Sequence, residues 1–233
     1  LLHYLGLEEQ VVGITAYCVH PKPWLTEKTI IGGTKDLKVD KINALKPDLI
    51  IGNKEENIKA QIDALSADHK YISEIETIEQ AFEMIVEIGK LTNTRSKAET
   101  LITELKEQFN QLKKSAITKR VAYFIWKEPY MLAGKNTFIG HMLESCGFTN
   151  AAPNSEERYP TVDENAINAL KADVLMLSSE PYAFSTANLH QMASAYPGKN
   201  YKIVDGELFS WYGPRMKHAF KYFSTLQREM SLL

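Results

Sequence analysis

Little in this 233-residue sequence marks an enzyme, a membrane protein or a nucleic-acid binder. Cysteine is scarce, with only Cys18 and Cys146. Two cysteines can form one disulfide, remain two thiols or supply half of a metal site, so they leave the redox compartment open. No apolar run approaches the length of a membrane span. No signal peptide opens the chain. It begins LLHYLGLEEQ, without Met and already inside a helical pattern. The expectation is that an amino-terminal piece is missing, and a targeting segment with it. Positive charge is not in surplus. The formal net charge is −2, against the basic balance of a general nucleic-acid binder. The sequence also lacks G-x-S-x-G, a P-loop and G-x-G-x-x-G, which removes the local signatures of several common enzyme classes.

What is present is ordinary for a soluble globular chain: 44% hydrophobic and 24% charged residues, enough for one large or two small domains. The longest regular pattern runs from Thr94 to Ser115. Ala98, Leu101, Ile102, Leu105, Phe109 and Leu112 fall at the spacing of a helix with one buried stripe. The stretch has no Gly and no Pro, and at about 1.5 Å per residue it would reach roughly 33 Å. It reads as a rigid strut between two lobes, with the function in the cleft it holds open.

Strands and helices alternate on both sides of it. The first part reads as a helix end closed by Gly6, a strand over Val11–Thr15, a proline-rich loop from Ala16 to Trp24 and a strand from Ile30. Then come a helix over Val39–Leu45, a buried strand over Asp48–Gly52, helix from Glu55 to Leu65, a strand over Lys70–Ser73 and helix from Thr77 to Leu91. The second part restarts at Arg120, with strands over Val121–Trp126, Asp173–Leu177 and Tyr201–Asp205. Helices fall over Thr137–Cys146, Asp163–Leu170 and Ser185–Ala195, Gly206–Gly213 reads as a loop, and Pro214 opens a last helix. The fold expected is α/β: two lobes with parallel-type sheets flanked by helices and joined by one long interlobe helix. The boundaries are 1–76 for the first lobe, its first strand missing, 77–115 for the connecting helices and 116–233 for the second lobe.

The two parts echo each other. INALKPDLII over Ile42–Ile51 and INALKADVLM over Ile167–Met176 share six of ten residues at an offset of 125. Carried on, the offset pairs Glu55 with Glu180. Each would then stand just past a strand end at matching places on two similar lobes.

Cys18 and His20 are the residue types that zinc prefers, but two ligands are half a site. The same pair could serve as nucleophile and base only if further partners met it in space. The aromatic residues say more. Tyr17 and Trp24 lie in the first loop, Trp126 and Tyr130 beside the next, Tyr159 in the 150–160 loop, and Trp211 and Tyr212 in the 206–213 loop. His20, Lys35, Arg158 and Arg215 are interleaved with them, as is Lys127. Ligand pockets are walled by aromatics with a few polar groups, and a set with several cations suits a large, flat, partly anionic or metal-chelate ligand.

The segments VVGITAYCVHP, IIGGTKDLKVDKINALKPDLIIGNKEEN, GKNTFIGHMLESCGF, RYPTVDENAINALKADVLMLSSEPYAF and DGELFSWYGPRM cover nearly the whole chain. In that order they resemble the substrate-binding proteins of bacterial ABC importers for cobalamin, haem and ferric siderophores, the two-lobed group with a helical backbone. The resemblance implies a monomer outside the cytoplasm, periplasmic or lipid-anchored on the outer face of the membrane. It implies an interlobe cleft for a corrinoid or ferric chelate, delivery to a membrane permease and no catalysis. It also implies one permease-docking glutamate per lobe, Glu180 on the second and Glu55 or Glu56 on the first. Tyr17, Trp211 and Tyr212 suit a corrin face, Arg158 and Arg215 a siderophore's oxygens, and His20 a haem iron. The rival reading is a metal-dependent enzyme or metal-ion binder using Cys18 and His20.

Overall fold

A computed structural model describes residues 1–112 and 119–232. These residues form two compact units, Leu1–Glu74 with Ile88–Thr94, and Ile75–Glu87 with Arg95–Leu233.

The first unit opens with α1 (Leu2–Leu5), stopped by Gly6 at φ 80°. The Leu7 amide reaches back to the Leu2 carbonyl at 3.1 Å, which closes the helix end. Strand β1 (Gly13–Ile14) pairs in parallel with β2 (Thr29–Ile30). Between them Trp24–Glu27 forms a short helix, α2, where the prolines suggested only loop. Pro23 sits at its N-cap, a place where a missing N–H costs nothing. Helix α3 (Val39–Ala44) leads to β3 (Leu49–Asn53), α4 (Lys59–Asp63) and β4 (His69–Ser73), with β3 and β4 parallel. Helix α4 is shorter than the span expected from Glu55. The unit thus holds two separate two-stranded sheets, and β3, expected to be buried, is partly exposed along its whole length.

Helix α5 (Ile78–Leu91) buries Ile78, Phe82, Ile85 and Ile88, as its spacing predicts. Asn93 follows at φ 56°, the left-handed conformation that Asn tolerates past a helix end. The division into units passes through this helix, so residues of α5 belong to both.

The Thr94–Ser115 pattern is α6 (Arg95–Gln111); residues 113–115 of that reading lie outside the described residues. Its stripe of Ala98, Leu101, Ile102 and Leu105 is buried. Within the second unit Phe109 packs on Phe220, and Glu104 pairs with Lys217.

Next come β5 (Arg120–Trp126), β6 (Tyr130–Leu132), α7 (Phe138–Ser145), β7 (Thr149–Asn150), β8 (Thr161–Val162) and α8 (Glu164–Ala169). They are followed by β9 (Val174–Ser178), α9 (Thr186–Ala195), β10 (Asn200–Val204), α10 (Glu207–Ser210) and α11 (Met216–Met230). Helix α10 replaces the loop expected there. The sheet runs β10-β9-β5-β6-β8, with β7 also on β5. Strands β10, β9, β5 and β7 are parallel, whereas β6 and β8 are antiparallel additions. Strand β9 is buried at every residue, and its face joins Phe124, Leu132, Ile167 and Phe184 in one core.

The repeat holds to the residue. Helices α3 and α8, and strands β3 and β9, each begin and end 125 positions apart.

Candidate functional site

In the second unit β5, β9 and β10 run in parallel, so their carboxyl ends share one rim, the edge where open α/β sheets hold ligands. Trp126 ends β5. The β5–β6 register shifts between Phe124 and Trp126, and such a bulge re-aims a side chain. Trp126 is 40% exposed. Its ring meets Tyr182 edge-on with centroids 5.8 Å apart, and Tyr182 meets Phe184 at 4.7 Å. Tyr182 was not singled out as a site residue. The signal was its place two residues beyond Glu180 at a strand end. Lys127 donates to Gln191 at 3.0 Å, and Tyr130 stacks edge-on against Phe124. The peptides Glu128–Pro129 and Glu180–Pro181 on this rim are cis.

Glu180 follows β9 and is half-buried. Its Oε1 accepts hydrogen bonds from Ser210 Oγ at 2.5 Å and Trp211 Nε1 at 2.8 Å. Burial raises its pKa above the ordinary glutamate range, outweighing those two bonds, which favour the ionised form. Gly206 makes room for this arrangement, since a Cβ there would lie 2.5 Å from Glu180 Cγ. A hollow of about 510 Å³ beside it is lined by Glu180, Asp205, Glu207, Arg215 and Tyr222. Arg215 is paired with Glu207, and its Nε is buried without a hydrogen bond among the described residues. Arg158 is paired with Glu76, Tyr212 packs edge-on against Phe138 at 5.5 Å, and Tyr159 is half-buried. The sheet thus gathers Trp126, Tyr182, Glu180 and Trp211 near its strand ends, while Arg158 and Tyr212 are engaged with other elements.

In the first unit Tyr17 is 66% exposed in the loop after β1 and lies over Gly33, whose Cβ, if present, would come within 3.2 Å of its ring. His20 is exposed, and the Cys18 thiol lies 3.6 Å from Thr15 Oγ1. Trp24 departs from the expected role. It is 6% exposed and fills a core with Val11 and Ile14, so it offers its own unit's surface almost nothing. Lys35 donates to the Glu55 carbonyl, and Glu56 accepts from Thr34 Oγ1 at 3.3 Å.

The two glutamate turns match. Asn53, the last residue of β3, accepts from the Glu55 amide at 2.9 Å. Ser178, its counterpart ending β9, accepts from the Glu180 amide at 3.3 Å. The turns differ in their partners: Ser210 and Trp211 donate to the Glu180 carboxylate, whereas at the first turn Lys35 donates to the Glu55 carbonyl.

Cys18 and Cys146 are both free thiols. Cys146 is fully buried, which pushes its pKa up and makes it inert. Among the described residues no three of His, Cys, Asp or Glu gather as a metal site, so Cys18 and His20 acquire no third ligand there. No helix among them is long and apolar enough to cross a membrane.

Residues 1–195 match the family described as periplasmic binding protein. An uncharacterized ABC transporter substrate-binding lipoprotein, YvrC of Bacillus subtilis, is 25% identical over 231 residues, 93% of this chain and 72% of that protein. A vitamin B12-binding protein of Vibrio parahaemolyticus is 25% identical over 179 residues, 74% of this chain and 64% of that protein. The periplasmic heme-binding protein RhuT from Roseiflexus sp. RS-1, in apo form, shares the fold. It has a TM-score of 0.82 and 17% identity, covering 98% of this chain and 93% of that one.

Proposed function

The chain belongs to the periplasmic binding protein family, and from that premise we propose that it is the extracytoplasmic solute-binding component of an ABC importer. Its cargo is a metal-organic complex, a corrinoid or a ferric chelate such as haem or a siderophore. It carries that cargo to a permease without chemical change, from the periplasm or from a lipid anchor on the outer face of the membrane. The family match over residues 1–195 carries this reading. The ligand class is supported by the relatives that bind vitamin B12 and heme, and by the exposed aromatic residues at the strand ends, Trp126 with Tyr182 in one unit and Tyr17 in the other. Flat macrocycles and aromatic chelates stack on such rings.

An enzyme built on Cys18 and His20 is the poorer account. The thiol lies against Thr15 Oγ1, and no third metal ligand joins the two among the described residues.

An absorption spectrum of the protein purified from cells grown with cobalamin, haem and ferric siderophores tests the proposal. A visible band that follows the protein through gel filtration is expected. Tightly bound zinc with no chromophore would replace the proposal with the metal-site reading.

A further inference from the structure

Cations interleaved with aromatic residues suit a partly anionic ligand, but in the second unit the candidate cations are already committed. Arg158 is paired with Glu76 and Arg215 with Glu207. Lys127 lies 3.5 Å from Glu128 Oε1 and donates to Gln191 at 3.0 Å, and its side chain is only 16% exposed. A guanidinium whose fork is engaged by a carboxylate has few donors left for the oxygens of an anionic ligand.

The carboxylates are not matched in the same way. The hollow at the ends of β9 and β10 is lined by Glu180, Asp205 and Glu207, against the guanidinium of Arg215. Glu180 accepts from the neutral donors Ser210 and Trp211. Neither Glu180 nor Asp205 joins an ion pair among the described residues; the pair in this hollow is that of Arg215 with Glu207. After burial, repulsion from Glu207 and Asp205 is what raises the Glu180 pKa, so the three carboxyls share one negative field.

The opposing effect at this end is that of the helices that follow the strands, since helix N-termini attract anions. Helix α9 occupies its first amides with its own capping box of Ser185 and Asn188. Helix α10 carries Glu207 in its first turn. Both ends are thus served by side chains of this chain.

We infer that this rim selects its cargo by charge: Glu207 masks Arg215, Glu180 and Asp205 leave negative charge in excess, and the complex carried is uncharged or cationic. The inference rests on the carrier reading proposed above and narrows it. A corrinoid or a hydroxamate-type ferric chelate fits, whereas haem, ferric citrate and catecholate chelates bring negative charge to a negative rim. Affinity then comes from stacking on Trp126 and Tyr182, which needs no charge, and selectivity from repulsion of the wrong ligand. Glu207 is a specificity-determining residue on this account.

Isothermal titration calorimetry tests this with cyanocobalamin and ferrichrome, which are uncharged, ferrioxamine B, which is cationic, and haem and ferric citrate, which are anionic. One of the first three should bind at least ~10-fold more tightly than either anion, as like-charge repulsion requires. Tighter binding of haem or ferric citrate would overturn the inference and leave the carrier reading standing. No binding of any of the five would overturn both. Glu207→Gln should unmask Arg215 and raise the affinity for ferric citrate, relative to that for the best uncharged or cationic complex, by about 10-fold. An unchanged ratio would overturn the role given to Glu207.

Discussion

Glu180 illustrates how one side chain can be set by two opposing effects. Hydrogen bonds from Ser210 and Trp211 favour its charged form, and burial opposes it and prevails. A carboxyl whose folded pKa is raised keeps its proton to higher pH in the folded chain than in the unfolded one. Its contribution is therefore full below the ordinary glutamate range and is lost as pH rises through the raised value. Thermal melts between pH 4 and 7 should show that decline, and Glu180→Gln should flatten it. A decline of the same size in the variant would assign it to other groups. Charge at this position was legible from the repeat. Its burial was not, because Gly206–Gly213 reads as loop and the residues that cover Glu180 come from helix α10 within it.

At the scale of elements, β3 and β9 form an experiment within one chain. They are matched in position and in the phrase that precedes them, yet Met176 is fully buried and its counterpart Ile51 is 37% exposed. Met176→Ala should cost about 2–5 kcal/mol, the usual range for a large core side chain. Ile51→Ala should cost less than about 1 kcal/mol in the 233-residue chain, since much of its surface already meets water. Equilibrium urea denaturation measures both, and equal costs would contradict the burial difference. The longer strands and the α5 and α6 stripes were readable from local periodicity, and the 125-residue repeat from matching residues, whereas the two-residue strands β7 and β8 are too short to carry a pattern. The exposure of β3 was not, since an apolar run reads as buried whether or not a neighbouring strand is there to bury it. Helix α2 was hidden by Pro21 and Pro23, which read as breakers although Pro23 takes the cap. Trp24 was assigned to a ligand wall for the same reason. A tryptophan beside prolines reads as loop until the turn folds it onto Val11 and Ile14.

For the molecule as a whole, the account is of a carrier that recognises two partners, a coloured ligand and a permease. Glu55 and Glu180 occupy matched turns, and the proposed docking role separates them from ligand binding. Rim charges steer association more than they add affinity. The double variant Glu55→Ala, Glu180→Ala should therefore hold its ligand with affinity within about threefold, and uptake into cells should fall by more than about tenfold. Unimpaired uptake would remove both residues from docking.

The central claim is that the chain binds a metal-organic complex at a rim bearing Trp126. A titration of intrinsic tryptophan fluorescence with cyanocobalamin, haem and a panel of ferric siderophores tests it most directly. The account predicts saturable quenching by one of them at micromolar or lower concentration, weakened about tenfold in Trp126→Ala, or about 1.4 kcal/mol. Absence of saturable quenching by every ligand would contradict it.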